Sequence, residues 1–260
     1  MANDPHEIPA RLCRNYLELA DRHAPGLIEG LYLSGSIALG DYHPAVSDVD
    51  FVAVVGRPPD VAALRTVHAE LRRRNGARPN FDGVYVTWDD LRKDPDETPA
   101  GPSAHDWKVD GSSRGERGLV TWHLLAQGGV AVRGPSAAGL GVHTDWDKLA
   151  GQTRHNLATY WTAWVRRASR LPSLWGVAVL SDYMTTWGAL GVTRLRHTLA
   201  AGEVTSKTAA ARYALETYDE RWHPIVREAL RIRLGGPPVY RNRLRRRADL
   251  LAFMGMVLEG

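Results

Sequence analysis

Residues 31–55 read LYLSGSIALGDYHPAVSDVDFVAVV. A Gly-Ser turn follows one apolar run, and an Asp-x-Asp opens the next. In a strand, residues i and i+2 point to the same side, so Asp48 and Asp50 project together from one face. Carboxylates that close repel unless something positive lies between them. Their geometry suits two hard divalent cations, with water and phosphate oxygens in the remaining coordination positions. The turn at Gly35-Ser36 leads into a helical segment and offers backbone N–H groups and a hydroxyl to phosphates. Asp82, near the start of the apolar run FDGVYVTW, can complete a carboxylate trio on the same face. Metal ions held by carboxylates against a phosphate cradle are what phosphoryl or nucleotidyl transfer requires.

The flanking sequence supplies a scaffold for this motif. Residues 8–24 have the apolar spacing of an amphipathic helix. DVDFVAVV reads as a buried strand rich in β-branched residues. PDVAALRTVHAELRRRN (59–75) reads as a helix with Asp60 in its first turn, and FDGVYVTW as a third strand. The stretch 93–118, dense in Pro, Gly and charge, is expected to be a long loop. LVTWHLLAQGG is expected to be helical, and GGVAV a short strand. From Asp145 the pattern is helical throughout, with segments at about 146–170, 174–200, 206–218, 222–234 and 242–258. The expected fold class is α+β: a small mixed sheet with flanking helices in residues 1–142, then an all-α bundle in 143–260.

Composition excludes several classes. The chain has 260 residues, 44% hydrophobic and 24% charged, which are ordinary globular values. No apolar run approaches the roughly 20 residues that span a bilayer, and MANDPHEIPA lacks the apolar core of a signal peptide. Cys13 is the single cysteine, so no internal disulfide forms and a cytoplasmic location is expected. The net charge of +4 is modest. Arginine runs at 72–74 and 241–247 lack the interleaved aromatics that stack on bases, which argues against nucleic acid as a partner. No Cys/His cluster has zinc spacing, and no G-x-S-x-G elbow supports hydrolase chemistry. His123 and His197 read as helix histidines, and the tryptophans at 161, 164, 175 and 187 mainly as packing residues.

SGSIALG, SDVDFVAVV and FDGVYV together resemble the polymerase-β-type nucleotidyltransferases, whose motif is hG[GS], then [DE]h[DE]h, then a third carboxylate. More narrowly, the chain resembles the aminoglycoside adenylyltransferases that modify streptomycin and spectinomycin. It shares their motif order, a V-A-V-x-G-P segment at 130–135, an all-helical second half, and TRLRHTLAAGEVTSKTAAARYAL. The resemblance implies that Gly35, Ser36 and Ser47 contact nucleotide phosphates, that Asp48 and Asp50 hold magnesium, and that Lys207 reaches the triphosphate from the second domain. The third carboxylate, glutamate and general base in the streptomycin enzymes, is Asp82 here, one methylene shorter. It is expected to act as base, metal ligand or both.

The expected reaction is transfer of AMP from ATP, with two Mg²⁺ ions, to a hydroxyl of a small acceptor in an interdomain cleft. The acceptor class implied is an aminoglycoside or aminocyclitol, a modification of the antibiotic-resistance type. Trp107 of the 93–118 stretch and Asp182, Tyr183 and Trp187 of the second domain are the expected acceptor contacts. Asp182 is the one carboxylate in LWGVAVLSDYMTTWGALGVTRL, so the acceptor either stacks on aromatic rings or carries few cations. Transfer to a protein side chain or RNA end, and a catalytically silent nucleotide-binding regulator, are the alternatives.

Overall fold

A computed structural model describes residues 7–260 of the chain. The leader reading concerned in part residues 1–6, which lie outside the described residues. The chain divides into two compact units, Met1–Asp145 and Trp146–Gly260. Among the described residues no helix is long and apolar enough to cross a membrane.

The first unit runs α1 (Glu7–His23), β1 (Ile28–Leu33), the short turn α2 (Gly35–Ala38), β2 (Val49–Val55) and α3 (Val61–Asn75). It continues through β3 (Phe81–Val86), the turn α4 (Trp88–Leu91), β4 (Gly101–His105), β5 (Lys108–Ser113), α5 (Leu119–Gly128) and β6 (Val130–Arg133). The strands form one sheet in the order β5-β4-β3-β2-β1-β6. β2 and β3 are parallel, and the other neighbours pair antiparallel.

β2 lies inside this sheet and is buried on both faces, so its sequence is almost continuously apolar rather than alternating. Val49, Phe51, Ala53 and Val55 pack with Leu12 and Tyr16 of α1 and Leu64 and Val67 of α3. Val52 and Val54 belong to a separate core with Trp122 and Leu125 of α5. Asp50 has the parity of Val52 and Val54, and therefore belongs to the α5 face.

Capping trims two expected elements. The Asp60 side chain accepts a hydrogen bond from the Ala62 N–H at 2.9 Å, so Asp60 is the cap and α3 begins at Val61. Thr87 and Asp90 cap one another reciprocally, which ends β3 at Val86 and makes Trp88 helical instead of part of the strand.

The stretch expected to be a long loop, 93–118, is instead ordered around a hairpin. After one 3₁₀ turn at Pro95–Glu97, β4 and β5 pair antiparallel, with His105 opposite Lys108. Asp106 and Trp107 form the two-residue connection, both left-handed at φ 48° and 64°. Such turns are ordinarily marked by Asn-Gly or Asp-Gly, and GPSAH and KVDGSS have little β-propensity. A tryptophan at positive φ costs on the order of 1–3 kcal/mol. The burial of its indole in the first unit's core and a hydrogen bond from its N–H to the Ala77 carbonyl at 2.9 Å offset that cost.

The second unit contains α6 (Trp146–Asn156), a π turn (Leu157–Trp161), α7 (Thr162–Ala168), α8 (Leu174–Ala178) and α9 (Asp182–Ala201). It ends with α10 (Lys207–Thr217), a 3₁₀ turn (Glu220–Trp222), α11 (His223–Leu234) and α12 (Arg243–Glu259). The segment expected as one helix over 174–200 is two. Ser181 accepts from the Met184 N–H at 3.2 Å and starts α9 afresh. Trp161, Trp164, Leu190, Phe253 and Met254 fill this core. Glu228, fully buried, accepts from Arg231, from Arg246 at 3.1 Å and from the Val239 N–H at 2.8 Å. These charge-assisted bonds tie α11 to α12.

Candidate active site

The parallel register of β2 and β3 sets Asp50 directly beside Asp82. Both belong to the sheet face whose next residues, Val52, Val54, Val84 and Val86, pack around Trp122. Asp48 lies two residues before Asp50, and its charge acts on Asp82. Asp50 and Asp82 therefore share one face at one end of two neighbouring strands, and Asp48, the residue before β2, is near enough for its charge to act on Asp82.

The chain turn meets them there. The Ser34 N–H donates to the Asp50 carbonyl at 2.9 Å, bringing the end of β1 onto the start of β2. Gly35 follows with φ +56°, and a Cβ placed on it would stand 1.8 Å from Asp50 Oδ2. Ser36 accepts through its carbonyl from the Asp41 N–H at 2.8 Å. The buried Ser47 hydroxyl accepts from the His43 N–H at 3.0 Å, closing the loop just before Asp48. His43 Nε2 is in turn 2.9 Å from Asp41 Oδ1.

One cation, two backbone N–H groups and an imidazole face the carboxylates. Arg78 Nη1 donates to Asp48 Oδ1 at 2.8 Å, and the Asn80 N–H lies 3.3 Å from the same oxygen. Asp82 is 7% exposed; its Oδ1 accepts from the Asp106 N–H at 3.0 Å, and its Oδ2 is 3.4 Å from His105 Nδ1. Burial pushes the Asp82 carboxyl up to about 6, His105 pulls it back, and Asp48 adds to the rise. A carboxylate destabilised by burial and a like charge is one that a cation would relieve. Carboxylate oxygens are the donors a hard divalent ion prefers, and among the described residues the ligand atoms that lie within 4.8 Å of one another are those of Asp82, His105 and Asp106.

Sequence reasoning overlooked Arg78, Asn80, His105 and Asp106. The last two sit in A-H-D-W-K, where a His-Asp pair was absorbed into the supposed loop.

Asp182, Tyr183, Trp187 and Lys207 lie on the second unit. Tyr183, 70% exposed, stacks on Trp187 with centroids 6.1 Å apart and rings inclined by 14°. Lys207 Nζ stands 5.9 Å from the Trp187 centroid, at the first position of α10 after its cap Ser206. Asp182 Oδ1 accepts from Arg246 Nη1 at 2.6 Å, so this carboxylate already carries a counter-charge. Trp107, expected at the acceptor, has its indole in the first unit's core, where it supports the hairpin turn.

Residues 13–87 match the family described as the nucleotidyltransferase domain. Residues 175–258 match the C-terminal domain of aminoglycoside adenylyltransferase. No curated protein matches the chain. Among solved structures the chain is similar to the spectinomycin adenyltransferase AAD(9) from Enterococcus faecialis, crystallised with ATP and spectinomycin. That match has a TM-score of 0.67 at 13% identity and covers 96% of this chain and 99% of that one, a likeness of fold. With a nucleotidyltransferase domain at residues 13–87 and an aminoglycoside adenylyltransferase C-terminal domain at residues 175–258 of one chain, the protein is an enzyme of the nucleotidyltransferase type, similar to the aminoglycoside adenylyltransferases.

Proposed function

We propose that the chain transfers AMP from Mg-ATP to a hydroxyl of a small acceptor, an aminoglycoside or aminocyclitol, releasing pyrophosphate. The observation that carries this reading is the register placing Asp50 beside Asp82, with Gly35 closed against the Asp50 carboxylate. Two Mg²⁺ ions held by Asp48, Asp50 and Asp82 would supply Lewis-acid neutralisation of the phosphate charge. The N–H groups of the Gly35-Ser36 turn and the hydroxyls of Ser36 and Ser47 hold phosphate oxygens, and Lys207 offsets triphosphate charge. Asp82 takes the proton of the acceptor hydroxyl as that oxygen bonds to the α-phosphorus and the bond to pyrophosphate breaks.

Two features of the second unit favour a small ring-bearing acceptor over a protein side chain or an RNA end. Tyr183, exposed and stacked on the half-buried Trp187, offers an aromatic face of the kind that packs against a sugar ring. The pairing of Asp182 with Arg246 leaves this carboxylate less charge to offer a polycation, which favours acceptors with few ammonium groups. Use of ATP as donor would place the activity in the cytoplasm.

The test is incubation with each nucleoside triphosphate, Mg²⁺ and a panel of aminoglycosides and aminocyclitols, read by mass. An AMP adduct on one of them, with stoichiometric pyrophosphate, is expected. Absence of any adduct across the panel, with no pyrophosphate released, would remove this reading.

A further inference from the structure

We propose that His105 is a ligand of the site's divalent cation through Nδ1, beside Asp82, and that the site therefore takes Mn²⁺ in preference to Mg²⁺. This rests on the reading that the carboxylates hold such a cation. The spacing is the first support. His105 Nδ1 and Asp82 Oδ2 are 3.4 Å apart, and neighbouring donors on an octahedral ion with bonds near 2.1 Å are about 3.0 Å apart. A movement of a few tenths of an ångström puts both on one ion.

The surroundings leave these two atoms facing one another. Asp82 Oδ1 is engaged by the Asp106 N–H, which leaves Oδ2 as the oxygen turned to His105. The other ring nitrogen, Nε2, faces Asp106 Oδ2 at 3.6 Å. Asp106 is anchored in turn, its Oδ1 accepting from Asn80 Nδ2 at 2.7 Å. At 3.6 Å this carboxylate stands outside hydrogen-bond reach of Nε2; closing by about half an ångström, it would fix the tautomer and ring orientation of a metal-bound imidazole and raise its basicity. Ligand atoms of Asp82, His105 and Asp106 all lie within 4.8 Å of one another, and the strand register puts Asp50 next to Asp82. His105 is 71% exposed and so is not held there by packing.

The consequence for metal choice is chemical. Mg²⁺ demands oxygen donors and keeps its waters, whereas imidazole binds later divalent ions progressively better along the first transition row. A site of carboxylates alone discriminates weakly between Mg²⁺ and Mn²⁺. One with an imidazole does not.

The experiment is Mn²⁺ titration of the full chain without nucleotide. Binding is followed by the electron-paramagnetic signal of the free ion, and the bound ion by electron spin-echo modulation from nitrogen. Wild type is expected to show ¹⁴N modulation. His105→Gln, exposed and therefore compatible with folding, should abolish it and weaken Mn²⁺ by roughly tenfold or more, with a much smaller change for Mg²⁺ in competition. Asp106→Asn should keep the modulation and weaken Mn²⁺ less. No Mn²⁺ binding, no nitrogen modulation in wild type, modulation retained in His105→Gln, or equal loss of both metals would each overturn the assignment. Nitrogen-bound Mn²⁺ in a protein that adenylylates no acceptor would leave it standing and remove only the transfer reading. Transfer with oxygen-only Mn²⁺ would do the reverse.

Discussion

Gly35 lies so close to Asp50 that a Cβ added to the glycine would stand 1.8 Å from the Asp50 Oδ2 atom. The backbone at Gly35 is also left-handed, φ +56°. Two requirements meet at one residue: a conformation that side chains resist, and a space that the Asp50 carboxylate occupies. Gly35→Ala should therefore displace Asp50. Pyrophosphate release should fall by about a hundredfold, with a melting midpoint only a few degrees lower. Wild-type turnover in a folded Gly35→Ala protein would mean that Asp50 has no fixed place in the reaction.

Asp48→Asn and Asp50→Asn should each reduce transfer below about a hundredth of wild type, since each removes a proposed metal ligand. Stability should not fall with activity. Removing one of several clustered negative charges relieves repulsion in the metal-free protein. Asp48 also gives up its partly exposed pair with Arg78, and pairs of that kind contribute about 0–1 kcal/mol. Denaturant melts beside turnover assays separate the two effects. Activity above that level in either variant would exclude that residue as a ligand.

Asp82 gives the metal-free protein a pH signature. Its carboxyl rises from 3.8 to about 6 on folding, mainly through burial. Between those values the folded chain binds more protons than the unfolded one, so this contribution to stability is complete below about 4 and is lost as pH climbs through about 6. The amount is on the order of 3 kcal/mol. His68 slopes the opposite way, because burial lowers it from 6.5 to about 4 and acidification through that window destabilises the fold. The difference between wild type and Asp82→Asn isolates the carboxyl. In chelator, Asp82→Asn should gain on wild type as pH rises from 4 to 7 and hold a constant lead above that. A difference flat across this range would show that Asp82 is ionised as an ordinary surface carboxylate.

If Asp82 is the base, Asp82→Asn should keep Mg-ATP binding while turnover collapses. If it is chiefly a metal ligand, excess Mg²⁺ should restore part of the rate. Calorimetry together with a magnesium series decides between them, and Asp82→Glu reports whether the acceptor hydroxyl lies where a longer carboxylate reaches.

Lys207→Ala should raise the ATP concentration needed for half-maximal rate by roughly tenfold, the effect of removing one charge-assisted contact, and change acceptor affinity little. Its ammonium stands near the Trp187 ring, where cation and ring attract, so Trp187→Leu should weaken ATP use in the same direction by a smaller factor. Unchanged Mg-ATP affinity and turnover in Lys207→Ala would make it a surface lysine.

What could be read from the chain alone was local. The Gly35-Ser36 turn, the alternation that pairs Asp48 with Asp50, and the helical periodicity after Asp145 depend on residues a few positions apart. Their physics is that of strand pleat, turn and helix face, which a short window contains. The hairpin of β4 and β5 was illegible because its strands carry Gly, Pro and Ser and its turn is Asp-Trp. Long-range contacts stabilise it instead: Ala104 and Ser103 pair with β3, and the Trp107 indole is buried and hydrogen-bonded to Ala77. With the hairpin went His105 and Asp106, which reach Asp82 from more than twenty residues away. The same holds in the second unit, where α9 starts at Ser181 and Asp182 is neutralised by Arg246, 64 positions along. Side chains carry their chemistry in the sequence, but burial and counter-charge are set by neighbours that only folding supplies. Those two quantities set how strongly Asp82 holds its proton in the metal-free protein and how much charge Asp182 has to offer.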